Sequence, residues 1–305
     1  MEMTGCRIIY YGNKDAEFSI YDIGDIHIMN KGCAWDVLYR DIEKIKDDPC
    51  AFWFEGGDYA EWIMPSDKRF DADNFPDDVK VKDLNYLSAI VANKIINTFK
   101  PITNKNLGFL IGNHEYKFMT RQHEKFIHTA ICDKLKVSNM LYSGWTDIYF
   151  VYKEGLKIPY KIVTHIPPEN FEARLRVFVH HGMGSANTAG GKLNTLKRMA
   201  ESMDADLIMM GHLHEQFTKT FVRLFPNYNC TQIQERITMG LITGSYLRYY
   251  ESGIISYGET RGYYPTVLGA SRARYIPSTM EITVESRAIT GSRAIHTPKE
   301  RYLSF

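Results

Sequence analysis

The stretch FLIGNHEY, residues 109 to 116, is an apolar run that stops at a glycine and then presents Asn113, His114 and Glu115 side by side. An amide, an imidazole and a carboxylate are more than a turn requires. Asn and His both bind metals, and His also moves protons. If this strand end serves a metal, the chain must supply further ligands at the ends of other strands.

It does so in order. Short apolar segments recur at FSIYDI (18–23), CAFWFE (50–55), LGFLI (107–111), RVFVH (176–180) and DLIMM (206–210), each closed by glycine or a polar cluster. Continuous apolar runs of this length read as strands buried on both faces. Between them lie amphipathic patterns over 36–48, 83–99 and 193–203, with Val37, Leu38, Ile42 and Ile45 on one face of the first. Strands alternating with helices predict a layered α/β architecture. Residues 143–165 read as two strands around a Glu-Gly turn, and EYKFMTRQHEKFIHTAI (115–131) as one helical pattern, with His123 and His128 ordinary residues within it. After residue 215 the chain is β-rich without a linker, which predicts a single domain over 1–305: a core over 16–215 and a second sheet completed by 216–305. Residues 64–82 are polar and acidic, a solvated insertion or lid.

Bulk properties narrow the partners. Of 305 residues, 44% are hydrophobic and 24% charged, with 37 Lys plus Arg against 36 Asp plus Glu. A near-zero net charge argues against nucleic-acid binding through a general basic field, and leaves room for a local groove. Cys6, Cys33, Cys50, Cys132 and Cys230 are scattered, odd in number and without a CxxC pair, which predicts reduced thiols in a cytoplasmic protein. The N-terminus lacks a secretory pattern, and no apolar run approaches the ~18 residues of a membrane span.

Each of the five strands ends in potential ligands: Asp25 and His27 in GDIH, Asp58 in GGD, Asn113 and His114 in GNHE, His180 and His181 in VHHG, His212 and His214 in GHLH. The crevice beyond the carboxyl ends of strands in an α/β sheet is where ligands bind, so stretches far apart in sequence converge there. Imidazole, carboxylate and amide oxygen without thiolate suit Mn, Fe, Zn and similar divalent ions. A pair of such ions ~3.5–4 Å apart calls for a bridging carboxylate, and bound water then titrates near ~7. Phosphoester hydrolysis is the reaction best served by such a nucleophile together with neutralised phosphoryl charge.

The ordered set D-x-H, GGD, GNHE, H-x-G and GHxH, over residues 24 to 214, resembles the calcineurin-like metallophosphoesterase superfamily. That resemblance implies a two-layer β-sandwich flanked by helices and two divalent ions, Mn first, with Fe, Zn, Ni and Mg as alternatives. It assigns Asp25, His27 and His214 to one ion, Asn113, His212 and His180 to the other, and Asp58 as the bridge. His180 is taken over His181 because the family presents this ligand as H-x-G. His114 then stays off the metals and faces the scissile phosphate as a proton donor or transition-state stabiliser. Glu115 is explained by the helix start it opens, with a role behind an imidazole as the alternative.

On the substrate side, Lys192 follows a Gly/Ser/Asn loop at a helix start, a place that favours anions. Tyr246 and Arg248, in GSYLRYY, fall near the expected rim, while Lys68 and Arg69 lie in the insertion. The expected activity is attack of a metal-bridging hydroxide on a phosphodiester, with nucleic acid or a nucleotide as candidate substrates. A phosphomonoesterase or phosphoprotein phosphatase is the alternative, though GGDYAEW lacks the arginine that phosphatases place after the bridging Asp. A scaffold that has lost its ligands is the second alternative, against which stands a complete ligand set. No membrane partner is expected, and the oligomeric state is open.

Overall fold

The computed structural model describes residues 2–184, 186, 188–251 and 255–285. Two sheets face one another. The six-stranded sheet contains β2 (Phe18–Ile23), β3 (Ala51–Glu55), β4 (Asn106–Leu110), β5 (Asn139–Leu141), β12 (Ser271–Ile276) and β13 (Glu281–Glu285), in the order β13-β12-β2-β3-β4-β5. The seven-stranded sheet contains β1 (Glu2–Tyr11), β6 (Ser143–Tyr152), β7 (Tyr160–Thr164), β8 (Ala173–His180), β9 (Leu207–Met210), β10 (Phe217–Pro226) and β11 (Ile233–Ile242), in the order β10-β11-β9-β8-β6-β1-β7. β2, β3 and β4 run parallel in one sheet, β8 and β9 parallel in the other, so five carboxyl ends reach the same end of the sandwich.

Side-chain alternation builds the layers. In β3, Phe52 and Phe54 point between the sheets toward Val177, Val179, Leu207 and Met209. Trp53 points the other way, stacks on Phe99 at 4.9 Å and donates its indole N–H to the Ile102 carbonyl at 2.8 Å. That outer face is covered by α1 (Trp35–Asp47), α2 (Leu87–Phe99) and α4 (Ile127–Leu135) through Val37, Ile42, Ile95 and Ile131. The opposite outer face, Phe178, Ile208 and Met210, is covered by Leu196 and Met199 of α5 (Ala189–Ser202). Burying both faces of each sheet explains why the central strands carry no polar alternation.

Three expectations are revised. The β-rich tail does not complete one sheet: β10 and β11 extend the seven-stranded sheet, and β12 and β13 the other. The two strands within 143–165 do not pair with each other. β1, unforeseen in the sequence, lies between them, parallel to β6 and antiparallel to β7. The helical pattern of 115–131 breaks into α3 (Asn113–Arg121) and α4, with His123 between them at φ +58°. The acidic insertion is anchored on both sides: Phe75 and Val79 pack on the core, Asp67 pairs with Arg69 and Arg121, and Asp77 and Asp78 pair with Lys31 and Lys94. All five cysteines are unpaired, and among the described residues no helix is long and apolar enough to cross a membrane.

His128 lies on the buried face of α4. Its Nε2–H donates to Asn139 Oδ1 at 3.0 Å, and its Nδ1 accepts from the Tyr59 hydroxyl at 3.1 Å. Burial pushes its pKa down to about 4, against a small upward pull from Asn139. A histidine held neutral contributes stability that is complete above its unfolded pKa of ~6.5 and is lost as pH falls toward the folded value. Urea unfolding of wild type and His128→Gln at pH 7.5 and pH 5 checks this. The wild type is expected to lose roughly 2 kcal/mol relative to the variant over that interval. A difference independent of pH would contradict it.

Candidate metal centre

The turns after β2, β3 and β9 are strained in a common way. Asp25, His27, Asp58, His212 and His214 all have left-handed backbones, with φ of 52°, 55°, 52°, 70° and 52°. Non-glycine residues adopt this region at a cost and keep it only where the surroundings over-determine it. Here the turns hold one another. Asp25 N–H donates to the Gly57 carbonyl at 2.8 Å and His27 N–H to the Asp58 carbonyl at 3.0 Å. His212 N–H donates to Asp25 Oδ2 at 2.7 Å, and His114 N–H to Asp58 Oδ1 at 2.8 Å. A Cβ on Gly112 would lie 2.1 Å from Asp58 Oδ1, so the glycine before Asn113 is what lets the two loops meet.

Three groups of closely placed ligand atoms result, one of them formed by His27, Glu61 and His114, in which Glu61 already holds both rings. Asp25, His27 and His214 offer atoms within 4.8 Å of one another, and so do Asp58, His181 and His212. His27 Nε2, His181 Nε2, His212 Nδ1, Asp25 Oδ1 and Asn113 Oδ1 are buried without a hydrogen-bond partner among the described residues. Buried polar atoms are rarely left so, and five in one site match a cation-binding donor set. The opposite nitrogen of each ring is tied down, which fixes its orientation. His27 Nδ1 meets Glu61 Oε2 at 2.9 Å, His181 Nδ1 donates to the Gly56 carbonyl at 2.8 Å, and His212 Nε2–H to the Gly184 carbonyl at 2.8 Å. His214 Nδ1 is 2.5 Å from the Tyr249 hydroxyl. Burial would raise the pKa of Asp58, but the facing His181 and His114 hold it well below the usual carboxylate range.

The structure brings Asp25, His27, Asp58, Asn113, His212 and His214 together, and it puts His181, not His180, among them. Residues 177 and 179 point between the sheets and Phe178 toward α5, so strand alternation puts 181 on the inner side and 180 on the outer one. His180 packs beside Tyr142 and Phe178, and its Nδ1 accepts the Gly182 N–H at 2.7 Å. Burial, with His181 and His212 nearby, pushes its pKa down to about 4. Strand parity was the available signal: Val177 and Val179 predict an inward His181.

A cavity of about 860 Å³ opens over the cluster, lined by His27, Asp58, Asn113, His114 and His212 and walled by the insertion through Arg69 and Phe75. His114 Nδ1–H donates to the Glu61 carbonyl at 2.5 Å, and its ring lies edge-on to His27 with centroids 4.8 Å apart. Lys192 lines the cavity, but its ammonium is bound to the Leu213 carbonyl at 3.0 Å and to Glu215 at 2.6 Å. Arg248 pairs with Asp36 at 2.5 Å and Glu251 at 3.6 Å, away from the cavity lining, and Tyr246 is core with its hydroxyl on Asp41. Three residues carry more than the sequence disclosed. Glu61 links His27, Asn30 and His114. Glu115 is fully buried and accepts the N–H groups of Gly112, Asp58 and Ala60 at 2.7, 2.9 and 3.1 Å. Tyr249 is the third.

The sequence pattern of calcineurin-like phosphoesterases matches residues 18–216, the segment that holds every strand end of the cluster. The chain belongs to that family. The family fold of two sheets flanked by helices and its metal-dependent phosphoester hydrolysis accord with this site. The chain is also similar to a conserved protein of Streptococcus pneumoniae TIGR4 described as a predicted phosphoesterase. Identity is 11%, over 85% of this chain and 83% of that one, with a TM-score of 0.31, too loose a likeness to argue from. None of the curated proteins matches.

Metal stoichiometry by elemental analysis separates the neighbouring histidines. His181→Ala is expected to lose about one ion per chain at limiting metal, while His180→Ala retains both. Equal retention in the two variants would overturn the assignment.

Proposed function

We propose that this protein hydrolyses phosphodiesters at a dinuclear centre in which Asp25, His27 and His214 hold one ion, Asn113, His181 and His212 the other, and Asp58 bridges. The observation that carries this reading is the set of buried, partnerless donor atoms from four strand ends, with Asp58 from a fifth, beneath a cavity walled by His114. Bound there, two divalent ions, Mn foremost, supply an activated water and neutralise phosphoryl charge.

The chain's own residues do the rest. With Nδ1–H committed to the Glu61 carbonyl, His114 acts through Nε2, which carries a proton for the leaving alcohol oxygen only in the imidazolium form. The Glu61 carboxylate lies 3.7 Å from the same ring and steadies it. Preference for a diester rests on charge. Arg69 is paired with Asp67 and Lys192 with Glu215, leaving Lys117 as a cavity cation with no carboxylate partner among the described residues. One free cation complements a monoanion better than a dianionic monoester. The pocket's size falls within the range of small-ligand sites.

A paired assay tests the proposal. Mn²⁺-loaded protein should cleave an aryl phosphodiester well above the matching monoester, with Asp58→Asn inactive. His114→Asn should keep its metals and lose about 10²–10⁴-fold in turnover. Preference for the monoester would move the function to a phosphatase. Metal loss in His114→Asn would make that residue a ligand.

A further inference from the structure

Of the four imidazoles with one nitrogen facing the cluster, three are braced by groups next to the ligand loops: Glu61, the Gly56 carbonyl and the Gly184 carbonyl. His214 differs. Its Nε2 lies 3.2 Å from Asp25 Oδ1, on the side of the ligand group, and its Nδ1 meets the Tyr249 hydroxyl; with Nε2 given to an ion, Nδ1 would carry the ring's proton and donate it to that hydroxyl. Tyr249 comes from the rim that follows β11, outside the segment matching the family pattern. Its ring also lines the cavity.

The ring is held from both sides. It lies nearly parallel to His214, at 17° and 5.8 Å between centroids, and edge-on to Tyr263 at 5.8 Å. A Cβ on Gly258 would lie 2.3 Å from the ring, so the short α6 (Tyr257–Thr260) presses its backbone flat against Tyr249. The Ser256 hydroxyl donates to the Tyr249 carbonyl, closing the rim around it. A flexible surface tyrosine would not be packed at this distance.

We infer that Tyr249 is a positioning residue for the metal centre: its hydroxyl fixes the tautomer and the plane of His214, and so ties the ion held by Asp25, His27 and His214 to the rim of the substrate cavity. The inference rests on the ligand set proposed above. By linkage, anything in the cavity that steadies the Tyr249 ring raises affinity for that ion, and the ion in turn orders the rim.

The test is Mn²⁺ titration of the full chain by calorimetry and by the Mn²⁺ paramagnetic resonance signal, in wild type, Tyr249→Phe, Gly258→Ala and His214→Ala. Tyr249→Phe keeps the ring and removes the acceptor. It is expected to weaken one of the two ions by about 10–100-fold, leave the other unchanged, and alter the spectrum of the weakened ion. Gly258→Ala displaces the ring without touching a ligand, and is expected to weaken the same ion that His214→Ala abolishes. Thermal unfolding of the metal-free forms shows whether each variant folds. If Tyr249→Phe binds two ions as tightly as wild type, the positioning role is overturned while the ligand set stands. If wild type itself binds fewer than two ions, the ligand set fails instead.

Discussion

Everything at the functional end of this molecule depends on the sharp turns the chain makes as it leaves β2, β3 and β9. A strand that continued straight would carry its last side chains past the site. A left-handed residue directly after the strand folds the chain back over the sheet edge, and five proposed ligands occupy that conformation. The strain is offset by hydrogen bonds between turns. The carboxylates of Asp25 and Asp58 each accept a backbone N–H from a neighbouring ligand loop while keeping another oxygen toward the cluster. One turn therefore cannot relax alone. Glu115 extends the arrangement by gathering three N–H groups from the Asp58 and Asn113 loops under one buried carboxylate, whose pKa burial and Asp58 raise to about 8.

The strands and the candidate ligands that follow them were legible because both patterns are local. FSIYDI, CAFWFE and DLIMM are short apolar runs, and each ligand follows its own strand within a few residues. Sheet membership was not legible. Nothing within β1 says that it will lie between β6 and β7, since pairing is decided by partners more than a hundred residues away. The tail divided between two sheets because β11 pairs with the nearby β9, whereas β12 pairs with β2 at the other end of the chain.

The residues behind the ligands were the least visible. Glu61 reads as one more acid at the edge of an acidic insertion, and Tyr249 as one of several tyrosines in an aromatic stretch. Their roles come from which ring nitrogen they face, a property of three-dimensional placement that spacing does not encode. His180 and His181 show the opposite case. The information was present in the parity of the strand, and the motif pattern pointed one residue away from it.

The division of ligands between the sheets has a mechanical consequence. Asp25 and His27 leave the six-stranded sheet and His214 the seven-stranded one, while Asp58 and His181 divide the same way. Each ion would therefore act as a clasp across the open end of the sandwich, where the interface between the layers would otherwise be free to splay. A ligand that binds only the folded chain adds about 2.7 kcal/mol at one hundred times its dissociation constant. In a small sandwich that is a sizeable share of the total. The cations that would equip the site for chemistry would thus also hold its two halves together, so that starving the protein of metal would loosen the architecture as well as silence it.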